Sequence, residues 1–150
     1  MELKTGSAES TLDDKGRVSI PVRFREQFQG ELVIAWGIEQ CVYVMKPTAW
    51  ENFEQNLRNP EMYTQEERRI LENKHLHQAQ VVEIDKAGRI AIPPTFRKYA
   101  NLTRDCMVIS AEDRLSIWDI DTFDAYLAEN DALARAAINK LGSKDIFKAD

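Results

Sequence analysis

Asp13-Asp14-Lys15-Gly16-Arg17-Val18-Ser19-Ile20-Pro21-Val22-Arg23-Phe24-Arg25 returns 72 residues later, without a gap, as Asp85-Lys86-Ala87-Gly88-Arg89-Ile90-Ala91-Ile92-Pro93-Pro94-Thr95-Phe96-Arg97. Both blocks read Asp-x-x-x-Arg, then an apolar–small–apolar run, then Pro, then Phe-Arg. Two like units in one short chain imply a fold of paired halves with pseudo-twofold symmetry. That symmetry suits a partner that itself repeats, and double-stranded DNA is such a partner.

The chain has 150 residues. A unit of roughly 45 residues buries too little surface to be stable alone, so the two copies are expected to share one core. A hydrophobic content of 43% and a charged content of 30% belong to a soluble globular protein. No apolar run approaches the ~18 residues of a membrane span, and the N-terminal Met1-Glu2-Leu3-Lys4-Thr5-Gly6 lacks the apolar stretch of a secretory signal. Cys41 and Cys106 have no ligand partner nearby in sequence. They read as buried thiols of a cytoplasmic protein, not as a disulfide or a metal site.

The net charge of −5 argues at first against nucleic acid. The cations are unevenly placed, however. Lys15, Arg17, Arg23 and Arg25 fall in the first block and Lys86, Arg89, Arg97 and Lys98 in or beside the second, while the acids gather in the presumed helices. DNA binding needs a local basic face, not a basic average.

Ser7 to Asp13 reads as a strand, Asp14-Lys15-Gly16 as a turn, and Arg17 to Ile20 as the return strand. Pro21 ends it and opens a short helix, with Phe24 and Phe28 on one face. Leu32 to Trp36 and Cys41 to Met45 form a second hairpin around Gly37-Ile38-Glu39-Gln40. The second copy repeats the plan: Val81 to Ile84, a Lys86-Ala87-Gly88 turn, Arg89 to Ile92, a helix from Pro93-Pro94 to Tyr99, then Met107 to Ser110 and Leu115 to Trp118. Each unit runs on into a helix carrying aromatics. Between the copies, Trp50 to Arg58 is helical until Asn59-Pro60, and Thr64-Gln65-Glu66-Glu67 has capping-box spacing. That box opens a helix to about Gln78 with Ile70 and Leu71 inward. Asp131 is expected to cap a last helix, Ala132 to Leu141, closed by Gly142; the residues beyond it look loosely held. The division is therefore a first module at 7–49, a helical connection at 50–78, a second module at 79–123 and a helical tail at 124–150.

A hairpin tip bearing Lys and Arg can set cations against phosphates, and Ser19 and the turn amides can add contacts. Arg17 and Arg89, beside their turns, can also reach guanine bidentately. The plainer reading of one Asp-x-x-x-Arg is an ion pair that pins the turn. Two copies, each followed by Phe-Arg, favour the DNA reading, and the roles coexist if Asp orients the Arg that meets the phosphate.

These blocks resemble the MraZ family of bacterial transcriptional regulators, which carry two SpoVT-AbrB-type modules in one chain. The resemblance runs from about Gly6 to Tyr126, followed by a helical tail. It implies an α+β fold: a swapped-hairpin, AbrB-like β-barrel formed by two repeats of one chain, with peripheral helices. It also implies a homo-oligomer closed into a ring, and binding to short direct repeats upstream of the division and cell-wall gene cluster. It places the DNA-binding element on Asp13 and Arg17 and on Asp85 and Arg89, with Lys15 as the first-copy lysine. The second copy departs: Ala87 stands in the aligned place with Lys86 one residue earlier, and Thr95 stands where the first copy has Arg23. The candidate DNA-binding residues are thus Asp13, Lys15, Arg17, Arg23, Asp85, Lys86 and Arg89, with the first hairpin expected to contribute more phosphate affinity. A ring would present many tips and convert weak contacts into avidity. The location expected is cytoplasmic and nucleoid-associated.

Other sites read less well. His75 and His77 are two apart on a presumed helix and so on different faces, which leaves no chelating pair. Glu66, Glu67 and Glu72 alternate with Arg68, Arg69 and Lys74 as on a solvated helix. Trp36, Trp118 and Phe53 can stack on bases, but aromatics within apolar runs are usually core. No phosphate loop, nucleophile elbow or zinc spacing occurs, so neither an enzyme nor a cofactor or small-molecule substrate is expected. The alternative to DNA binding is an antitoxin-like protein-interaction module, against which the ordered capping of 131–142 argues.

Overall fold

The computed structural model describes residues 1, 3–142 and 145–149. The first copy forms β1 (Gly6–Thr11), β2 (Arg17–Ser19), α1 (Val22–Arg25), β3 (Leu32–Trp36) and β4 (Val42–Met45). The connection holds α2 (Pro47–Leu57) and α3 (Gln65–Leu71). The second copy forms β5 (Gln80–Val82), β6 (Arg89–Ala91), α4 (Pro94–Tyr99), β7 (Asp105–Ser110) and β8 (Arg114–Asp119). Helices α5 (Ile120–Glu129) and α6 (Asp131–Asn139) follow. The chain forms two compact units, Met1–Ile120 and Asp121–Asp150.

The first unit is α+β, with a six-stranded antiparallel sheet in the order β1-β7-β8-β4-β3-β5 and a two-stranded ribbon of β2 and β6. Exchanging the copies, β1 for β5, β3 for β7 and β4 for β8, leaves that order unchanged. The expected hairpin of Ser7–Asp13 with Arg17–Ile20 survives only at its tip, where Leu12 bridges Val18. Beyond the tip the strands change partners. β1 pairs with β7 of the other copy, Gly6 opposite Ser110 through Thr11 opposite Asp105. β5 pairs with β3, Leu32 opposite Val82.

The reason lies in what each strand must cover. Val18, Ile20, Phe24, Phe28, Leu32, Ile34, Val42 and Val44 from the first copy pack with Ile90, Ile92, Phe96, Ala100, Cys106, Val108, Leu115 and Ile117 from the second in one cluster. Burying an aliphatic or aromatic side chain is worth about 1.5–3 kcal/mol. Neither copy alone has the area to enclose its own eight, so the strands interleave. Alternation sends one side of each strand inward: Val108 and Ile117 are fully buried, as are Leu32 and Ile34.

The connection departs from expectation in two respects. Thr64 and Glu67 form the reciprocal capping box, with Thr64 Oγ1 accepting from Glu67 N at 3.1 Å and Thr64 N donating to Glu67 Oε1 at 2.9 Å. The helix does not continue to Gln78; it loosens into a π turn over Glu72–Leu76. Its inward face is Leu71, His75 and Leu76, and Ile70, about 100° round the axis, is 61% exposed instead of inward.

In the second unit, the N-cap of α6 is Asn130, not Asp131. The Asn130 amide does not cap; it donates back to the Tyr126 carbonyl at 2.8 Å. Asp131 lies in the first turn and pairs with Arg135 at 2.8 Å. Gly142 takes φ +85°, as a helix-ending glycine does. Of the stretch expected to be loosely held, 143, 144 and 150 lie outside the described residues.

Candidate nucleic-acid interface

Each tip is organised by one carboxylate. Asp13 Oδ1 accepts the backbone N–H of Lys15 and of Arg17, both at 2.9 Å, and Oδ2 accepts Arg17 Nε at 2.8 Å. Asp13 N donates to Arg17 O at 2.9 Å and Gly16 N to Asp13 O at 3.1 Å, with Gly16 at φ +80°. This is an Asx-type turn closed by a left-handed glycine. The same bonds recur in the second copy. Asp85 Oδ1 accepts from Ala87 N and Arg89 N, both at 2.9 Å, Oδ2 accepts Arg89 Nε at 3.1 Å, and Gly88 sits at φ +81°. The backbone N–H of Arg17 is the largest influence holding the Asp13 carboxyl below its ordinary value, and that of Arg89 does the same for Asp85. Because each arginine is held through Nε, its terminal nitrogens keep donors for another acceptor.

One ribbon carries both tips, one at each end. β2 and β6 pair antiparallel, with Arg17 opposite Ala91, Val18 opposite Ile90 and Ser19 opposite Arg89. Val18 and Ile90 are fully buried on its inner face. By alternation, Arg17, Ser19, Arg89 and Ala91 share the outer face. Arg17 and Arg89 are displaced by two residues along the ribbon and one strand across it, a backbone separation of roughly 8 Å. Lys15 and Lys86 are exposed in the turns themselves.

Of the seven candidate residues, Asp13, Lys15 and Arg17 therefore gather at one end of the ribbon and Asp85, Lys86 and Arg89 at the other, with Arg17 and Arg89 on its outer face. The seventh does not join them. Arg23 Nη2 donates to the carbonyl of Ser7, and its guanidinium lies 4.7 Å over the Phe24 ring. Ser7 is six residues before Asp13, about 20 Å back along an extended chain. Arg23 instead lines a groove of about 900 Å³ with Lys4, Gln27 and Lys46 and with the acids Glu112 and Asp113.

Two arginines that sequence reasoning left out of the site do reach the tips. Gly16 and Gly88 are buried although they sit in turns, because Arg97 packs on the first and Arg25 on the second. The available signal was the Phe-Arg that closes both blocks.

The remaining candidates are structural. His75 is buried, with Nδ1 2.9 Å from the Trp36 carbonyl, whereas His77 Nδ1 lies 3.0 Å from Asn73 Oδ1. Trp36 stacks on Tyr99 with centroids 4.4 Å apart, Phe53 meets His75 edge-on, and Trp118 is buried. Glu67 serves the capping box. No helix of the described residues is long and apolar enough to cross a membrane.

A single core carrying two twofold-related hairpin tips on one ribbon defines an α+β protein of duplicated basic hairpins. The chain matches the model of the family described as "MraZ protein, putative antitoxin-like" over residues 3–73 and 76–141. It is 39% identical over 126 residues to a protein named transcriptional regulator MraZ from Parafrankia sp. (strain EAN1pec), covering 84% of this chain and 87% of that one. The chain belongs to the MraZ family.

Proposed function

We propose that this protein is a transcriptional regulator that binds double-stranded DNA through its two hairpin tips. The observation that carries the reading is the shared outer face of β2 and β6. It sets Arg17 and Arg89 side by side, each oriented by its own aspartate, with Lys15 and Lys86 at the ends. A two-stranded ribbon is narrow enough for the major groove, which is about 12 Å wide. The negative charge of the whole chain, net −5, limits non-specific binding. The relative named a transcriptional regulator supports the same role.

On this reading residues 7–49 and 79–123 are the two halves of a swapped-hairpin barrel, joined by 50–78 and followed by a tail at 124–150. The exchange of β1 and β5 between copies supports it. Subunits assemble into a ring whose tips engage direct repeats upstream of the division and cell-wall gene cluster, within the nucleoid of the cytoplasm. Avidity is the physical reason for the ring, because two tips make too few contacts to hold a site alone.

The test is a gel shift with DNA from upstream of the protein's own gene, at two salt concentrations. Binding that weakens steeply with salt, and that is lost in Arg17→Ala/Arg89→Ala, is the expected result. Full affinity in that double variant overturns the assignment of the tips. Absence of any DNA binding by the native protein overturns the function.

A further inference from the structure

The geometry points to Arg25 and Arg97 as crossed positioning residues: the arginine that follows the phenylalanine of each copy's short helix holds the DNA-binding tip of the other copy in shape. The inference rests on the DNA-binding reading of the tips and adds the residues that keep them ready.

Arg25 ends α1 of the first copy, but its guanidinium covers the second tip. A Cβ added at Gly88 would lie only 2.2 Å from its Cζ and Nε. Arg25 Nε donates to the Ile20 carbonyl at 2.7 Å, and Ile20 N donates to the Gly88 carbonyl at 2.7 Å. One residue of the first copy is therefore tied both to the arginine and to the turn it supports. The other crossing has the same plan. Arg97, in α4 of the second copy, lies where a Cβ on Gly16 would meet its Cζ at 2.9 Å, and Ile92 N donates to the Gly16 carbonyl at 2.8 Å.

A left-handed glycine explains the turn but not its burial. A flat guanidinium laid on the exposed side of the turn restricts it and fixes where the adjoining Arg17 or Arg89 begins. Lysine has a similar charge but no plane and no Nε–H, so it cannot reproduce the contact. The two braces are unequal. Arg25 Nε is hydrogen-bonded, whereas Arg97 Nε is buried with no hydrogen-bond partner among the described residues. Of the two braces, the one on the second tip is thus the one anchored through Nε.

The test is a set of double-mutant cycles on DNA affinity in the full-length protein, using Arg25→Lys and Arg97→Lys against Arg17→Ala and Arg89→Ala. Arg25→Lys is expected to weaken binding several-fold without changing the salt slope. It should add nothing to Arg89→Ala, yet multiply with Arg17→Ala; Arg97→Lys should show the reverse pattern with a smaller loss. Full affinity in both lysine variants, or coupling of Arg25 to Arg17 instead of Arg89, overturns the inference. Amide exchange in the free protein gives a reading independent of DNA. Arg25→Lys should speed exchange at 86–89 and leave 14–17 unchanged, and equal effects at both tips reject the crossing. If native protein binds no DNA while the exchange pattern holds, the function fails and the braces stand. Gly88→Ala, which displaces Arg25 without altering it, should reproduce the loss at the second tip; a Gly88→Ala protein with native affinity refutes the brace.

Discussion

Asp13 holds Arg17 with both of its oxygens, Oδ2 on the side-chain Nε at 2.8 Å and Oδ1 on the backbone N–H at 2.9 Å. One carboxylate thereby fixes both the shape of the turn and the direction in which its arginine leaves. The ion-pair reading and the DNA reading of the motif are two uses of the same contact.

That contact predicts a pH response. The Asp13 carboxyl lies below its ordinary value of 3.8, chiefly through the Arg17 N–H. A depressed folded value means that its contribution is complete above 3.8 and is lost as pH falls through the lower folded value. Carboxyl NMR titration should place the Asp13 and Asp85 midpoints below those of solvated aspartates, and Arg17→Ala, which removes the side-chain contact but keeps the backbone N–H, should raise the Asp13 midpoint part of the way back. An unmoved midpoint would contradict the pairing.

Phosphate contact predicts a change in salt dependence. Each phosphate that a lysine or arginine neutralises contributes about 0.9 to the slope of log K against log salt. Removing Lys15 should flatten the slope more than removing Lys86, since the first tip carries its lysine at the aligned place. Equal changes for the two would reject unequal tips.

The glycines predict unequal stability losses. Gly30, at φ +78°, has open space around its missing Cβ, so Gly30→Ala should cost only the left-handed penalty of about 1–2 kcal/mol. Gly16→Ala carries that penalty and must also displace Arg97. Thermal melts should rank Gly16→Ala clearly below Gly30→Ala; matching melting temperatures would mean that the arginine yields freely.

Burial predicts quiet thiols. Burial pushes Cys41 up to about 12 and Cys106 up to about 11. A thiol reagent at pH 8 should leave both unmodified in the native protein and label both after denaturation. Rapid native labelling would show that the core opens readily.

Much of this molecule is written locally. The turns at 13–17 and 85–89, the capping box at Thr64 and the apolar hairpins are short-range chemistry, and the structure has them where the residues place them. Strand exchange is not local: nothing within Gly6–Thr11 names Asp105–Ser110 as its partner, because that choice depends on closing a core over both copies. The position of Arg23 away from the ribbon has a similar cause. Arg23 and Arg25 are neighbours in a basic run, but residues two apart on a helix point to opposite sides, so one reaches a tip and the other the far groove. Counting charges along the chain could not separate them, whereas helical phase could.

The unchanged strand order under exchange of copies has a consequence for how such a chain can be divided. A peptide carrying one repeat alone would keep its third strand without its outer neighbour and its first strand without a ladder. It would have to recruit a twin to fill both vacancies. Cutting the backbone between Asn59 and Thr64 should therefore yield fragments that reconstitute one another and are poor folders apart, because the intact connection is what keeps each repeat supplied with its partner.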